Sequence, residues 1–277
     1  MKIAIMGDIH ENMIAFKKAL EDSKKQKVDK YLFLGDYITD GDNPNEILDL
    51  VRKYADYAIK GNREDYILNH TFKRKNYANY KNITYTYNKL NKSNMDYIKT
   101  LKDNLLIEIQ NKKILMIHAN TYYNKYKRDI DTICEKVIED YPDFDICLLA
   151  HSHIFCDKTY KGKRFINPGS IGLPSDTKSS KYCILNIGDT ITVELREYSV
   201  MEYYSEFEKN YKNTNFYKEH PVWSTLVLDS LKDAASYFGE FVGLTYSKLD
   251  RSKPISSKKF NKRWKEAFQE YLNKKDN

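Results

Sequence analysis

The chain has 277 residues, of which 41% are hydrophobic and 31% charged, with a net charge of +7. This length buries a substantial core, the composition is that of a globular protein, and no run approaches the ~20 apolar residues of a membrane span. Of the net charge, +6 lies from Arg251 onward, where nine Lys/Arg face three Asp/Glu, so the preceding 250 residues are near neutral and offer no basic nucleic-acid groove.

Lys2–Met6 reads as a short apolar strand, followed by helical spacing over Asn12–Lys27. Tyr31–Leu34 is a second strand, Asn45–Tyr54 a second helix and Tyr57–Lys60 a third strand. This β-α-β-α-β alternation predicts a parallel sheet with crossover helices. A helical insertion is expected over about 64–104, with Ser93 as a helix N-cap near its end. Leu105–Gln110 and Lys113–His118 form a predicted hairpin turning at Asn111-Lys112. A strand ending at Ala150, a hairpin around Tyr160–Lys163, and the strands Tyr182–Ile187 and Thr190–Tyr198 complete a second, mainly antiparallel set.

From Ser199 the pattern turns helical. Leu228, Leu231, Ala235, Phe238 and Val242 form one stripe, and Phe260, Trp264, Phe268 and Leu272 another. Such stripes are ordinary core or the contact of a homo-oligomer. The organisation expected is a catalytic domain over 1–198 and a helical extension over 199–277. The chain opens on a strand rather than a basic-then-apolar leader. Its cysteines, Cys134, Cys147, Cys156 and Cys183, have no CxxC spacing. A cytoplasmic protein with free thiols is the expectation.

Polar residues collect at the strand ends. The first strand ends in Gly7-Asp8-Ile9-His10, the second in Gly35-Asp36, and the third in Gly61-Asn62-Arg63-Glu64. His118 closes the run ILMIH, and His151-Ser152-His153 follows CLLA. In an open parallel sheet, ligand groups gather outside the carboxyl ends of strands. Two carboxylates, one amide and four imidazoles in one region are an oxygen and nitrogen donor set without thiolate, suited to Mn, Fe, Zn, Co or Ni. Seven donors are too many for one tetrahedral ion and suit two divalent or trivalent ions that share a carboxylate. A lone histidine on an apolar strand is more often a satisfied core residue; outside the set, His220 before Pro221 is read as a surface loop residue, and His70 in the insertion as having no role at the site, the alternative being that it reaches the site.

The order D-x-H, G-D, G-N-(H/C)-(D/E), H and G-H-x-H, answered here by GDIH, GDY, GNRE, IHAN and AHSHIF, resembles the calcineurin-like metallophosphoesterases. FINPGS and GDYITDGDNP resemble its smaller, YfcE-like bacterial branch. The resemblance covers about residues 1–198 and implies a four-layer αββα sandwich of two mixed sheets, here with a helical C-terminal extension. It implies that Asp8, His10 and His153 hold one metal, that Asn62, His118 and His151 hold the other, and that Asp36 bridges them. The nucleophile implied is a metal-activated hydroxide. Asp36, Asn62 and Arg63 become the candidate catalytic residues, with Arg63 and Asn12 the candidate substrate-binding ones.

Three residues depart from the family pattern. Ala119 and Ala150 stand where glycine is frequent, and Arg63 stands where many members carry a histidine that protonates the leaving group. A guanidinium cannot donate that proton. It either grips a phosphate oxygen or forms a surface pair with Glu64 or Asp65. The expected activity is hydrolysis of a small, nucleotide-like phosphodiester or phosphoanhydride, dinucleoside polyphosphates included, without membrane or nucleic-acid partners. A serine/threonine-type protein phosphatase is the alternative, as is a non-catalytic scaffold of the retromer kind, although here every ligand position is filled.

Overall fold

The computed structural model describes residues 1–70 and 76–275. In chain order β1 (Lys2–Met6), α1 (Met13–Lys25), β2 (Lys30–Phe33), α2 (Pro44–Tyr54) and β3 (Tyr57–Ala58) form the expected alternation. The insertion is helical through α3 (Asn62–Leu68), α4 (Lys81–Lys89) and α5 (Lys92–Thr100), and its residues 71–75 lie outside the described ones. There follow β4 (Asn104–Ile109), β5 (Lys112–Ile117), α6 (Asn120–Lys125), α7 (Ile130–Asp140), β6 (Ile146–Leu148), β7 (Phe155–Tyr160), β8 (Lys163–Pro168), β9 (Ser179–Ile187) and β10 (Ile191–Ser199). The extension consists of α8 (Tyr204–Lys212), α9 (Asn215–Glu219), α10 (Pro221–Asp233), α11 (Tyr237–Ser247) and α12 (Ser257–Lys275). Among the described residues no helix is long and apolar enough to cross a membrane.

The strands make two mixed sheets, ordered β10-β9-β1-β2-β3 and β4-β5-β6-β8-β7. Period-2 alternation sorts their side chains into layers. Ile3 and Ile5 of β1 face the other sheet, where they meet Ile114, Met116, Ile146 and Leu148. Ala4 and Met6 face the opposite way, toward Ala15, Phe16 and Leu48 of α1 and α2. On the far side, Leu115, Cys147 and Phe165 pack under Ile133 and Val137 of α7. The order of layers is therefore helix, sheet, sheet, helix.

Some local expectations shift. β9 and β10 do not finish the second sheet, because β9 pairs antiparallel with β1, Ile5 opposite Cys183. Alternation in β9 fits either sheet, since Tyr182 and Ile184 face the helices while Cys183 and Leu185 face the inter-sheet layer. The first hairpin turns at Gln110-Asn111, both left-handed at φ 52° and 56° as a two-residue type I′ turn requires, and Lys112 already belongs to β5. The cap of α5 is Asn91, whose side chain accepts from Asn94 N at 2.8 Å, while Ser93 Oγ accepts from Arg52 instead. The four cysteines are unpaired.

The C-terminal helices pack on their own chain. The stripe from Leu228 to Val242 is split between α10 and α11 by Ala234, which is left-handed at φ 53°. In α12 the buried seam is Phe260, Trp264, Ala267 and Tyr271, so Phe268 and Leu272 of the expected stripe lie at its edge, only partly buried. Trp264 is 4% exposed and meets Phe241 edge-on with ring centroids 4.6 Å apart. This seam joins the same core as α1 and α2. Trp264→Ala is expected to cost about 3–5 kcal/mol and to lower the thermal midpoint by roughly 10 °C. A calorimetric scan with an unchanged midpoint would show that the helix is a free arm.

Candidate metal centre

The loops that follow β1, β2, β5 and β6, together with the start of α3, converge at one end of the sandwich. Close approach of backbones there demands glycine. A Cβ on Gly35, itself at φ +93°, would lie 2.3 Å from Gly61 N, and one on Gly61 would lie 2.2 Å from Asp36 Oδ1. Asp8, His10, Asp36, Ala119, His151 and His153 all adopt left-handed backbone, with φ between 48° and 68°. That conformation costs an L-residue energy, and such strain clusters at functional sites.

Glu64 ties two of these loops together. Its carboxylate accepts from Asp36 N at 2.9 Å, Tyr37 N at 2.8 Å and Gly61 N at 2.8 Å. Burial, followed by the nearby Asp36 charge, pushes its carboxyl up to about 7. The NPGS segment secures the others. Asn167 Nδ2 donates to Ala150 O and Ser152 Oγ, both at 3.0 Å, and Ser170 Oγ donates to Asp8 O at 2.8 Å.

Two ligand groups result. Asp8, His10 and His153 present donor atoms within 4.8 Å of one another, as do Asp36, His118 and His151. Asn62 joins the second group, with Oδ1 3.3 Å from His118 Nε2. Asp36 lies between them, with Oδ1 3.4 Å from His118 Nε2 and Oδ2 3.9 Å from His10 Nε2. The seven predicted ligands are thus brought together.

The donor chemistry fits cations. Nδ1 of His10 lies 2.6 Å from Asp40 Oδ2, Nδ1 of His118 2.8 Å from Leu34 O, and Nδ1 of His153 2.5 Å from Leu173 O. When each Nδ1 donates its proton to that oxygen, Nε2 is left as a lone pair aimed into the centre. The Nε2 atoms of His10 and His153 stand only 3.1 Å apart, which two lone pairs tolerate when a cation draws both. Asp8 Oδ1 and His151 Nδ1 are buried without a hydrogen-bond partner, as is expected of atoms kept for a metal.

Electrostatics agree. Burial alone would raise Asp8 and Asp36, yet the neighbouring imidazoles outweigh it and hold both carboxyls below their usual range. Burial lowers His151 to about 3, so it is neutral at physiological pH. Burial also disfavours charge on His118, but the Asp36 carboxylate prevails and lifts it to about 9. Protons and metal therefore compete for His118, and affinity falls as pH falls.

Arg63 does not form the surface pair considered above. Asp65 is taken by Lys60, and Glu64 is buried in its loop contacts. The Arg63 side chain is 12% exposed, with Nη2 3.4 Å from Asp40 Oδ2 and Nε 3.9 Å from Asp36 Oδ2. Asn12, expected to bind substrate, is instead committed to the scaffold. It caps α1 by accepting from Ala15 N at 3.1 Å and donates to Gly172 O at 3.1 Å. His70 stacks on Tyr87 within the insertion. His220 is no surface loop residue, because it packs against Phe216 and Tyr85 at the start of α10.

A cleft of about 150 Å³ opens on His10, Asp36, Asn62, His151 and His153. Arg63, Arg128 and Ser175 wall it, together with Ser236 and Phe238 from the extension. Larger cavities of about 300 and 400 Å³ lie elsewhere, lined by neither ligand group, so chemistry rather than size selects the smaller one. Sequence reasoning missed Asp40, Arg128, Ser236 and Phe238. Only Asp40 left a signal, as a second acid in GDYITD.

A family model described as the calcineurin-like phosphoesterase superfamily domain matches residues 1–190. The uncharacterized protein MJ0912 of Methanocaldococcus jannaschii is 29% identical over 238 residues, which covers 75% of this chain and 92% of that one. The probable metallophosphoesterase YsnB of Bacillus subtilis is 33% identical over 113 residues, 37% of this chain and 59% of its own. Among solved structures, a metallophosphoesterase from Sphaerobacter thermophilus superposes with a TM-score of 0.62 at 20% identity, covering 85% of this chain and 99% of that one. The hypothetical protein PH1004 of Pyrococcus horikoshii gives 0.62 at 18% identity, covering 79% and 97%. These two likenesses concern the fold.

Proposed function

The chain belongs to the calcineurin-like phosphoesterase superfamily, and on that premise we propose that it is a two-metal phosphohydrolase acting on small phosphodiesters or phosphoanhydrides. The observation that carries this reading is the pair of ligand groups sharing Asp36, with Arg63 beside them at the cleft. Two bound ions would supply charge neutralisation of the phosphoryl oxygens and a water acidic enough to attack at neutral pH. The donor set suits Mn, Fe, Zn, Co or Ni.

The chain's own residues do the positioning. Asp8, His10 and His153 hold one side, and Asn62, His118 and His151 the other, with Asp36 between. Arg63, fixed from two sides by Asp36 and Asp40, presents a permanent positive charge to a phosphate oxygen. A cleft of about 150 Å³ accepts a phosphoryl group and leaves the rest of the substrate to project outward. That favours a small or extended substrate, such as a nucleotide-like anhydride, over a folded phosphoprotein surface. The test compares kcat/KM for a dinucleoside tetraphosphate, bis(p-nitrophenyl) phosphate and glycerol phosphate. The first two should be preferred, and equal efficiency on glycerol phosphate would overturn the substrate class.

A further inference from the structure

Asp40 is a fully buried carboxylate whose oxygens are both engaged. Oδ2 accepts from His10 Nδ1 at 2.6 Å and lies 3.4 Å from Arg63 Nη2. Oδ1 accepts from the indole Nε1–H of Trp223 at 2.7 Å, and the Asp40 backbone carbonyl accepts from Tyr211 Oη at 2.8 Å. Trp223 and Tyr211 belong to α10 and α8, outside the sandwich. The indole ring also covers the Arg63 guanidinium, whose carbon is 5.6 Å from the ring centroid. Its other neighbour is Phe238, 4.8 Å away between centroids, which walls the cleft.

A carboxylate with one oxygen fixed by an indole N–H has a single orientation in which its other oxygen meets His10. That oxygen in turn decides which ring nitrogen of His10 keeps the proton and which lone pair faces the ligand cluster. We propose that Trp223 is a positioning residue of the metal centre: through Asp40 it fixes the tautomer and direction of His10, which makes the C-terminal helices a working part of the site. The inference rests on the two-metal reading above, and it goes further by assigning a role to helices that follow the residues the family model matches.

Carboxylates that hold ligating histidines typically contribute about 10–100-fold to metal affinity. The decisive experiment titrates Mn²⁺ calorimetrically into the full-length chain after its metal has been removed with chelator. Wild type should show two binding events. Trp223→Phe keeps an aromatic face against Arg63 and Phe238 but removes the N–H, and should weaken one event about 10–100-fold while leaving the other in place. Asp40→Asn should weaken the same event, and it decides the matter if the indole variant does not fold. Trp264→Phe, which alters a buried tryptophan of the same extension that packs on Phe241, should bind both ions as wild type does. Wild-type binding by a folded Trp223 variant overturns the proposal, as do equal loss of both events at an unchanged thermal midpoint and wild-type binding by Asp40→Asn. A wild-type chain that takes up no Mn²⁺ would overturn the two-metal reading and this inference with it.

Discussion

Asp36→Asn should reduce turnover of bis(p-nitrophenyl) phosphate by about three orders of magnitude or more. The substitution keeps shape, and the new amide oxygen can still accept the 2.8 Å bond from Arg63 N that Oδ1 now accepts. What it removes is the charge shared by the two ligand groups. The Asp36 carboxyl, although buried, is held well below its usual range by the imidazoles around it and by Arg63, so it is ionised throughout the working pH range. A neutral amide there would deprive two bound cations of the negative charge between the ligand groups. A bound ion contributes several kcal/mol to a phosphoryl transition state, and about 1.36 kcal/mol is tenfold in rate. Circular dichroism should show the fold unchanged. Turnover within a few-fold of wild type would reject a shared ligand at this position.

Arg63→Ala has the second largest expected effect, and it should be selective. With no imidazole at this position, a poor leaving group such as an alkoxide lacks acid assistance, typically worth ~10²–10⁴. A nucleotide phosphate or an aryl oxide departs with far less help. In the role proposed for it, the guanidinium would favour such substrates by meeting the extra negative charge of a polyphosphate. A hydrogen bond to a charged group is worth about 1.5–3 kcal/mol, so the variant should lose roughly 10–100-fold in kcat/KM on a dinucleoside tetraphosphate. On the singly charged aryl diester the loss should be smaller. An equal loss on both substrates would show that Arg63 serves Asp36 and Asp40 rather than the substrate.

The gathering of the candidate ligands was legible in the sequence because strand ends are local. An apolar run that stops at a glycine and a polar residue announces its own carboxyl end, and parallel topology gathers such ends together. The layers came from the family resemblance, because β1 and β5 are apolar on both faces and their runs do not say which residue meets which layer. Features set by distant packing were not legible. Alternation cannot say which sheet receives β9, and only the pairing with β1 decides. Asn12 looked available because it follows the D-x-H motif, but the chain needed a cap for α1 at that position. Phe238 read as part of one more apolar stripe and Trp223 drew no reading, because nothing local shows that Ala234 breaks the helix and turns Phe238 toward the cleft. Asp40 stands four residues beyond Asp36, and its role depends on an indole 183 residues away in the chain.

The central claim is that two ions, shared by Asp36, run the chemistry. It is tested most directly by adding Mn²⁺ in measured equivalents to the chelator-stripped full-length chain while following bis(p-nitrophenyl) phosphate hydrolysis. Activity should be absent at the start, rise with added metal and saturate at two equivalents per chain. Full activity in the presence of chelator, or saturation at a single equivalent, would contradict it.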